Sequence, residues 1–191
     1  MFTGIIRATG KVRGIKPAKQ SLLIKISKPS SWKFRDGDSV AVNGICSTIQ
    51  KTDRNYFDIE YMPETLKKTS VRYWEKGEVL NLEPPLRLGD RLGGHFLEGH
   101  IDITGRVASV KKIGDSKVLK VQLQGGYKRL IVPKGSIALD GVSLTVAQVK
   151  DNWFSVALVS YTLKKSNLDQ LRYGDWVNLE FDLIGKYLNL I

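Results

Sequence analysis

Cysteine is almost missing from this 191-residue chain; Cys46 is the only one. A lone cysteine excludes an internal disulfide framework and any zinc site built from several thiolates. Histidine is nearly as scarce, and His95 and His100 with one cysteine are too few ligands for a structural zinc. No stretch approaches the roughly 18 apolar residues of a membrane span. The opening Met1-Phe2-Thr3-Gly4-Ile5-Ile6 lacks the basic start and apolar run of a secretory signal. Neither a Walker-type phosphate loop nor a Gly-x-Ser-x-Gly elbow occurs. The expectation is a soluble cytoplasmic protein that binds no metal and spans no membrane.

What is present is a chain with 42% hydrophobic and 26% charged residues, enough apolar mass for real cores under a soluble surface. The net charge of +11 is spread out, +7 over residues 1–94 (17 basic, 10 acidic) and +4 over 95–191 (13 basic, 9 acidic). Such a spread suits a solvated surface, or attraction of anionic metabolites or nucleic acid.

The strongest feature is an internal repeat. Ser39-Val-Ala-Val-Asn-Gly-Ile-Cys-Ser-Thr48 aligns with Ser136-Ile-Ala-Leu-Asp-Gly-Val-Ser-Leu-Thr145, a spacing of 97. At the same spacing Thr65-Leu66-Lys67-Lys68 falls on Thr162-Leu163-Lys164-Lys165, and Asn81-Leu82-Glu83 on Asn178-Leu179-Glu180. Gly4, Gly10 and Val12 match Gly99, Gly105 and Val107 at a spacing of 95, so a two-residue indel lies between. The expected halves are 1–93 and 94–191.

Each half reads as strands. Residues 21–26, 57–61, 117–123 and 154–158 carry branched or alternating apolar residues. Asp36-Gly37, Asn43-Gly44, Gly114-Asp115 and Asp140-Gly141 punctuate them as turns. Helix signals are short: Pro63 opens one over residues 63–68, and residues 125–130 hold another turn or two. The expected fold is all-β, several short strands in each half closing into a small barrel with short helices, because closure removes exposed sheet edges.

Several residues could do chemistry. Cys46 follows a glycine bend, and its repeat partner is Ser143, so that position is small and polar in both halves. A lone cysteine is otherwise a small buried hydrophobe. His95 and His100 lie in the glycine-rich run 93–102, read as a strand crossing between barrels. A spacing of five along a strand would put them on opposite faces. Histidine suits proton transfer near neutral pH; the plainer reading is a structural histidine. Thr48, Thr145, Thr65 and Thr162 recur at matched positions and could bind ring carbonyls.

Together these segments resemble riboflavin synthase. The likeness is carried by Met1-Phe2-Thr3-Gly4-Ile5-Ile6, Val42-Asn43-Gly44-Ile45-Cys46, Met62-Pro63-Glu64-Thr65-Leu66 and Arg87-Leu88-Gly89-Asp90-Arg91-Leu92-Gly93-Gly94-His95-Phe96. It continues through Gly99-His100-Ile101-Asp102, Val132-Pro133-Lys134-Gly135-Ser136, Asp140-Gly141-Val142-Ser143-Leu144-Thr145-Val146 and Val177-Asn178-Leu179-Glu180. It spans essentially the whole chain in order.

The resemblance implies an all-β fold of two tandem six-stranded antiparallel lumazine-binding barrels with a short C-terminal helix, assembled as a homotrimer. It implies a cofactor-free transferase of riboflavin biosynthesis that dismutates two 6,7-dimethyl-8-ribityllumazine molecules into riboflavin and 5-amino-6-ribitylaminouracil. The active site would form between the first barrel of one subunit and the second barrel of the next. It places Cys46, Ser47 and Thr48 with Glu60, Tyr61, Met62, Pro63, Glu64 and Thr65 around one lumazine. It places Ser143, Leu144 and Thr145 with Ala157, Leu158, Val159, Ser160, Tyr161 and Thr162 around the other, with Gly4, Ile5 and Ile6. Gly99, His100 and Ile101 match the junction segment, and Lys134 a binding lysine. Ser39, Cys46, His100, Thr145 and Asp182 fall at the family's proposed catalytic positions.

Three departures stand out. Ser47 replaces a usual Leu, and Ser160-Tyr161 a Pro followed by His or Glu; both adjoin ligand-lining positions. The sequence ends at Ile191, leaving the expected C-terminal helix at most two or three turns and making the trimer weaker. The alternatives are a non-catalytic lumazine or flavin carrier, which would need only one intact barrel, and a nucleic-acid module. Trp32, Trp74, Trp153 and Trp176 are too scattered for the stacking platform of the latter.

Overall fold

The computed structural model describes residues 1–123 and 126–188. The first half contains β1 (Ala8–Ala18), β2 (Ser21–Ser27), β3 (Ser39–Val42), β4 (Ile45–Thr52), β5 (Tyr56–Tyr61), α1 (Pro63–Lys68) and β6 (Val79–Glu83). The second contains β7 (Ile103–Ile113), β8 (Ser116–Gln122), β9 (Ser136–Leu139), β10 (Val142–Val149), β11 (Trp153–Leu158), α2 (Ser160–Lys165), β12 (Trp176–Phe181) and α3 (Leu183–Leu188). Strands close into two antiparallel barrels, β1-β2-β5-β4-β3-β6 and, in the same cyclic order, β7-β8-β11-β10-β9-β12. No described helix is long and apolar enough to cross a membrane.

The repeat extends to the irregularities. β1 bulges between Val12 and Gly14 and β7 between Val107 and Ser109; β4 bulges between Ile49 and Lys51 and β10 between Val146 and Gln148. Bulges bend and twist a strand, which a small closed barrel needs. Each barrel is filled by its own alternating residues, such as Ile24, Ile26, Phe57, Ile59, Leu80 and Leu82 in the first and Leu119, Val121, Phe154, Val156, Val177 and Leu179 in the second.

The four expected turns are present. The 93–102 run is not a strand: the one bridge there joins Leu97 to Phe2. Among residues 126–130 a 3-10 turn covers only Lys128–Leu130, and Gly125 lies outside the described residues. The C-terminal helix is short, with Asp182 accepting from the Ile184 N–H at its start, and residues 189–191 lie outside the described residues.

The barrels meet at the turns Asn43-Gly44 and Asp140-Gly141. All four residues have positive φ (44°, 79°, 44° and 77°), the two-residue hairpin geometry that favours Asn-Gly and Asp-Gly. Gly44 and Gly141 press backbone to backbone: a Cβ on Gly44 would lie 2.7 Å from the Gly141 nitrogen. Around them Asn81 donates to the Asp140 carbonyl and Asn178 to the Asn43 carbonyl, each at 2.9 Å. The Asn167 N–H donates to the Asn81 side chain and the Ser70 N–H to the Asn178 side chain, both at 2.7 Å.

Two tests follow from this axis. Gly44→Ala forces strain and a steric clash together, so it should destabilise the fold by about 2–4 kcal/mol. Gly14→Ala, where the space is open and φ is ordinary, should stay within about 0.5 kcal/mol; urea midpoints decide. Second, burial pushes the Asp140 carboxyl up to about 8, against the pull of the Asn178 N–H. The folded chain thus holds that proton where the unfolded chain, with an ordinary value of about 3.9, does not. Stability must fall as pH rises between those values. Asn43 fills the equivalent place in the first barrel, accepting from Asn81 as Asp140 accepts from Asn178. Asp140→Asn should therefore raise stability at pH 8 by about 1–3 kcal/mol and flatten that slope; an unchanged pH profile in denaturant titrations would contradict the assignment.

Candidate active site

Strand alternation divides the candidate residues by direction. On β4 Ile45, Ser47 and Ile49 point into the barrel while Cys46 and Thr48 point outward. On β10 Leu144 and Val146 point inward, while Ser143 is half-buried and Thr145 exposed. Ser39 on β3 pairs with Thr48, and its counterpart Ser136 on β9 with Thr145. Each barrel therefore carries an outward patch of three small polar residues: Ser39, Cys46 and Thr48, or Ser136, Ser143 and Thr145. Ser136 escaped the sequence reading, although the repeat alignment pairs it with Ser39.

Four residues expected to line ligand turn their side chains inward instead: Ser47, Tyr61, Leu144 and Leu158 are all buried. Only their backbone can face a molecule on the outer surface. Ser47 is thus a change in the barrel's filling. Its hydroxyl pairs with the Tyr61 hydroxyl at 2.8 Å and donates to the Ile45 carbonyl, and the Tyr61 ring meets Trp74 edge-on.

The segments preceding each barrel are exchanged. Residues 1–6 run along the second barrel, where the Ser143 N–H donates to the Gly4 carbonyl at 2.9 Å. Residues 97–101 run along the first, where the Cys46 N–H donates to the Gly99 carbonyl at 2.8 Å. The approach is close: a Cβ on Gly99 would lie 2.6 Å from the Cys46 Cβ, and one on Gly4 2.6 Å from the Ser143 Cβ. Ile101 packs with Leu66 of α1 on the first core, and Ile6 packs on the core that contains Leu163 of α2. Each patch is therefore flanked by the other half's leading segment.

Buried glutamates hold these segments. Glu83 accepts from the Thr3 N–H and hydroxyl at 2.7 Å and from the Gly4 N–H at 3.0 Å. Glu180 accepts from the Glu98 N–H at 2.7 Å and from the Gly99 N–H. Burial raises both carboxyls, Glu180 to about 7, against the opposing pull of those N–H groups. The sequence reading missed them, though both lie in the repeated Asn-Leu-Glu block.

The histidines part company. His100 stands exposed on the segment closing the first patch, its Nδ1 3.9 Å from a Glu98 oxygen. His95 is buried beside the second patch, its Nδ1 2.7 Å from the Ser143 Oγ. Among the described residues no group of three His, Cys, Asp or Glu could hold a metal.

Around the rim, Glu60 is exposed and accepts from the Ser21 hydroxyl. Met62 precedes α1, which starts at Pro63; Glu64 pairs with Lys68 at 3.2 Å, and the Thr65 carbonyl accepts from Thr69. Ala157, Val159 and Tyr161 are exposed, with Ser160 and Thr162 half-buried on α2. Ile5 is half-buried at the position equivalent to His100. Lys134 is exposed and left-handed (φ 68°) where the first half has Gly37 (φ 89°), and its N–H donates to the Val146 carbonyl beside Thr145. A cleft of about 480 Å³ between the barrels, lined by Tyr73, Trp74, Asp140 and Trp176 among others, contains none of these candidates.

Partial burial pushes the Cys46 thiol up; the amino terminus and a hydrogen bond with Ser39 oppose it. The thiol is thus protonated at neutral pH and offers a hydrogen bond rather than a thiolate nucleophile. Iodoacetamide alkylation of Cys46 should rise with pH to a midpoint above the ordinary thiol value of about 8.5; fast alkylation at pH 7 would mark a thiolate.

Comparison with known proteins places the chain among relatives. A family described as the lumazine binding domain matches twice, over residues 3–84 and 98–182. The riboflavin synthases of Actinobacillus pleuropneumoniae and Bacillus subtilis are each 37% identical over 98% of this chain and 88% of their own. That of Schizosaccharomyces pombe is 37% identical over 98% of this chain and 91% of its own. Among solved structures, LumP complexed with riboflavin superposes with a TM-score of 0.87 at 23% identity, covering 95% of this chain and 99% of that one.

Proposed function

The chain belongs to the lumazine-binding family, and from that premise we propose that it makes riboflavin by dismutating two 6,7-dimethyl-8-ribityllumazine molecules, releasing 5-amino-6-ribitylaminouracil. The step is a transferase reaction in which one lumazine gives a four-carbon unit to the other, with no cofactor. The observation that carries this reading is the duplication of the patch. Both halves keep an outward trio of hydroxyl or thiol groups, and both keep the glutamate-held segment that flanks it. A carrier of one ligand needs one such patch; a reaction between two identical rings needs two.

The halves 1–93 and 94–191 each hold one lumazine in this scheme. Cys46 and Thr48 with Met62–Thr65 and Gly99–Ile101 take the first; Ser143 and Thr145 with Val159–Thr162, Gly4–Ile6 and Lys134 take the second. His100 moves the proton of the acidic C7 methyl. Ser39, Thr48, Thr145 and the Cys46 thiol donate to developing ring charge, and Asp182 acts at the second site. Holding two rings in register supplies several kcal/mol by proximity alone.

Assembly as a homotrimer is part of the same proposal. Gly4 and Gly99 lie two residues beyond opposite sides of the antiparallel Phe2–Leu97 bridge, so the two patches are on the order of 10 Å apart. In the proposed assembly the first patch of one subunit faces the second patch of another, with the two rings stacked between them. Ile184, Tyr187 and Leu188 of α3 are exposed in the single chain and available for such a contact. Cytoplasmic localisation is part of the same proposal.

Incubation with 6,7-dimethyl-8-ribityllumazine, followed by absorbance, should give riboflavin at half the molar amount of lumazine consumed. Binding with no riboflavin would move the protein to the carriers. His100→Gln should lower turnover about 100-fold or more, and unchanged turnover would remove His100 from proton transfer.

A further inference from the structure

The two patches differ at their central residue. In the first, the Cys46 thiol has Ser39 of the neighbouring strand as its polar neighbour. In the second, Ser143 has a histidine against it. His95 is 8% exposed, with its Nδ1 2.7 Å from the Ser143 Oγ. Its backbone is fixed as well, since the His95 N–H donates to the Thr3 carbonyl at 3.2 Å. The turn that delivers it is tight: a Cβ on Gly94 would lie 2.2 Å from the Thr3 oxygen and 2.7 Å from the Ser143 Cβ. These contacts hold one imidazole nitrogen on one hydroxyl.

The other nitrogen decides the direction of that hydrogen bond. Nε2 is buried and has no partner among the described residues. Burial lowers the basicity of the ring, with the Asp182 carboxylate pulling the other way, so the imidazole is neutral and one nitrogen carries the proton. An orphaned buried N–H is rarer and dearer than an orphaned lone pair. The proton therefore belongs on Nδ1, and Nδ1–H donates to the Ser143 oxygen. The Ser143 hydroxyl hydrogen is then free to point outward, along the face it shares with Thr145.

We propose that His95 is a positioning residue of the second site: by donating to the Ser143 oxygen it turns the Ser143 hydroxyl into a fixed donor toward a carbonyl or ring nitrogen of the bound heterocycle. The proposal rests on the lumazine reading of that patch and deepens it. It makes the two sites unequal, a histidine-set hydroxyl in one barrel and a thiol without a histidine in the other, although the repeat makes their backbones alike.

Two measurements test it. The chain has only two histidines, so a 15N-histidine NMR spectrum compared with that of His95→Gln identifies the His95 ring directly. The expected species is neutral with Nδ1 protonated and Nε2 bare; the opposite tautomer overturns the proposal without any folding question. The second is a double-mutant cycle on equilibrium binding of 6,7-dimethyl-8-ribityllumazine at the second site. Ser143→Ala and His95→Phe should each weaken it roughly threefold to tenfold, the range of one neutral hydrogen bond. The double variant should bind within about twofold of Ser143→Ala alone, because His95 acts through that hydroxyl. Losses that multiply would make His95 merely structural, and His95→Gln replaces His95→Phe in the cycle should the latter not fold. Wild-type protein that binds lumazine but forms no riboflavin would sink the catalytic reading while the cycle still decides the role of His95. Riboflavin formed with multiplicative losses would sink only the role of His95, and a wild-type second site that binds no lumazine overturns both.

Discussion

Two left-handed turns, Asn43-Gly44 and Asp140-Gly141, touch through bare backbone, and the distance between the barrels is set there. A Cβ on either glycine would push the barrels apart. Because they meet so closely, the asparagines of β6 and β12 can each reach a carbonyl of the opposite turn. The same turns begin β4 and β10, so Cys46 and Ser143 each stand two residues beyond the contact. Site placement and barrel docking are therefore one constraint.

The exchange of leading segments builds on that closeness. Phe2 and Leu97 pair in a single bridge and bury together with Ala41 and Ala138, one alanine from each barrel. From this bridge the two segments diverge, one along each barrel, and each is gripped by a glutamate on the last strand of its own half. Each patch is thus bordered by one half's strand and the other half's segment. Carboxylates buried to about 2% and 4% exposure are costly unless well bonded. The N–H groups they collect are those of Thr3, Gly4, Glu98 and Gly99 in the two leading segments.

Much of this was legible in the sequence. The repeat gave two equivalent halves, the branched apolar runs located β2, β5, β8 and β11, the Asn-Gly and Asp-Gly pairs gave the turns, and Pro63 gave α1. Even the sidedness of the patches was available, since period-two alternation puts Ser47 with Ile45 and Ile49, away from Cys46 and Thr48. Taking three consecutive residues as lining hid that distinction. What local pattern could not carry was the exchange. Residues 93–102 look like a crossing strand, but their partners are Thr3, Ser143, Cys46 and Glu180, distant in the chain and fixed only when both barrels close. The change of repeat spacing from 95 to 97 is no trace of it, since β1 and β2 align with β7 and β8 at 95 and the change falls between the second and third strands of each barrel.

A duplicated fold that brings two copies of one molecule to react faces a particular difficulty. The two molecules must play opposite roles, donor and acceptor, yet a perfect repeat would treat them alike. The backbone remains symmetric here down to its bulges, so the difference has to come from side chains at equivalent places. Cys46 against Ser143, and His100 against Ile5, are such differences, and His95 adds a buried ring beside Ser143 only. All three lie on the patches or the segments that flank them. The shared core and axis keep the backbone geometry of the two patches alike, while a few side chains around each make their chemistry unequal, and unequal chemistry is what lets one ring be stabilised as donor and the other as acceptor.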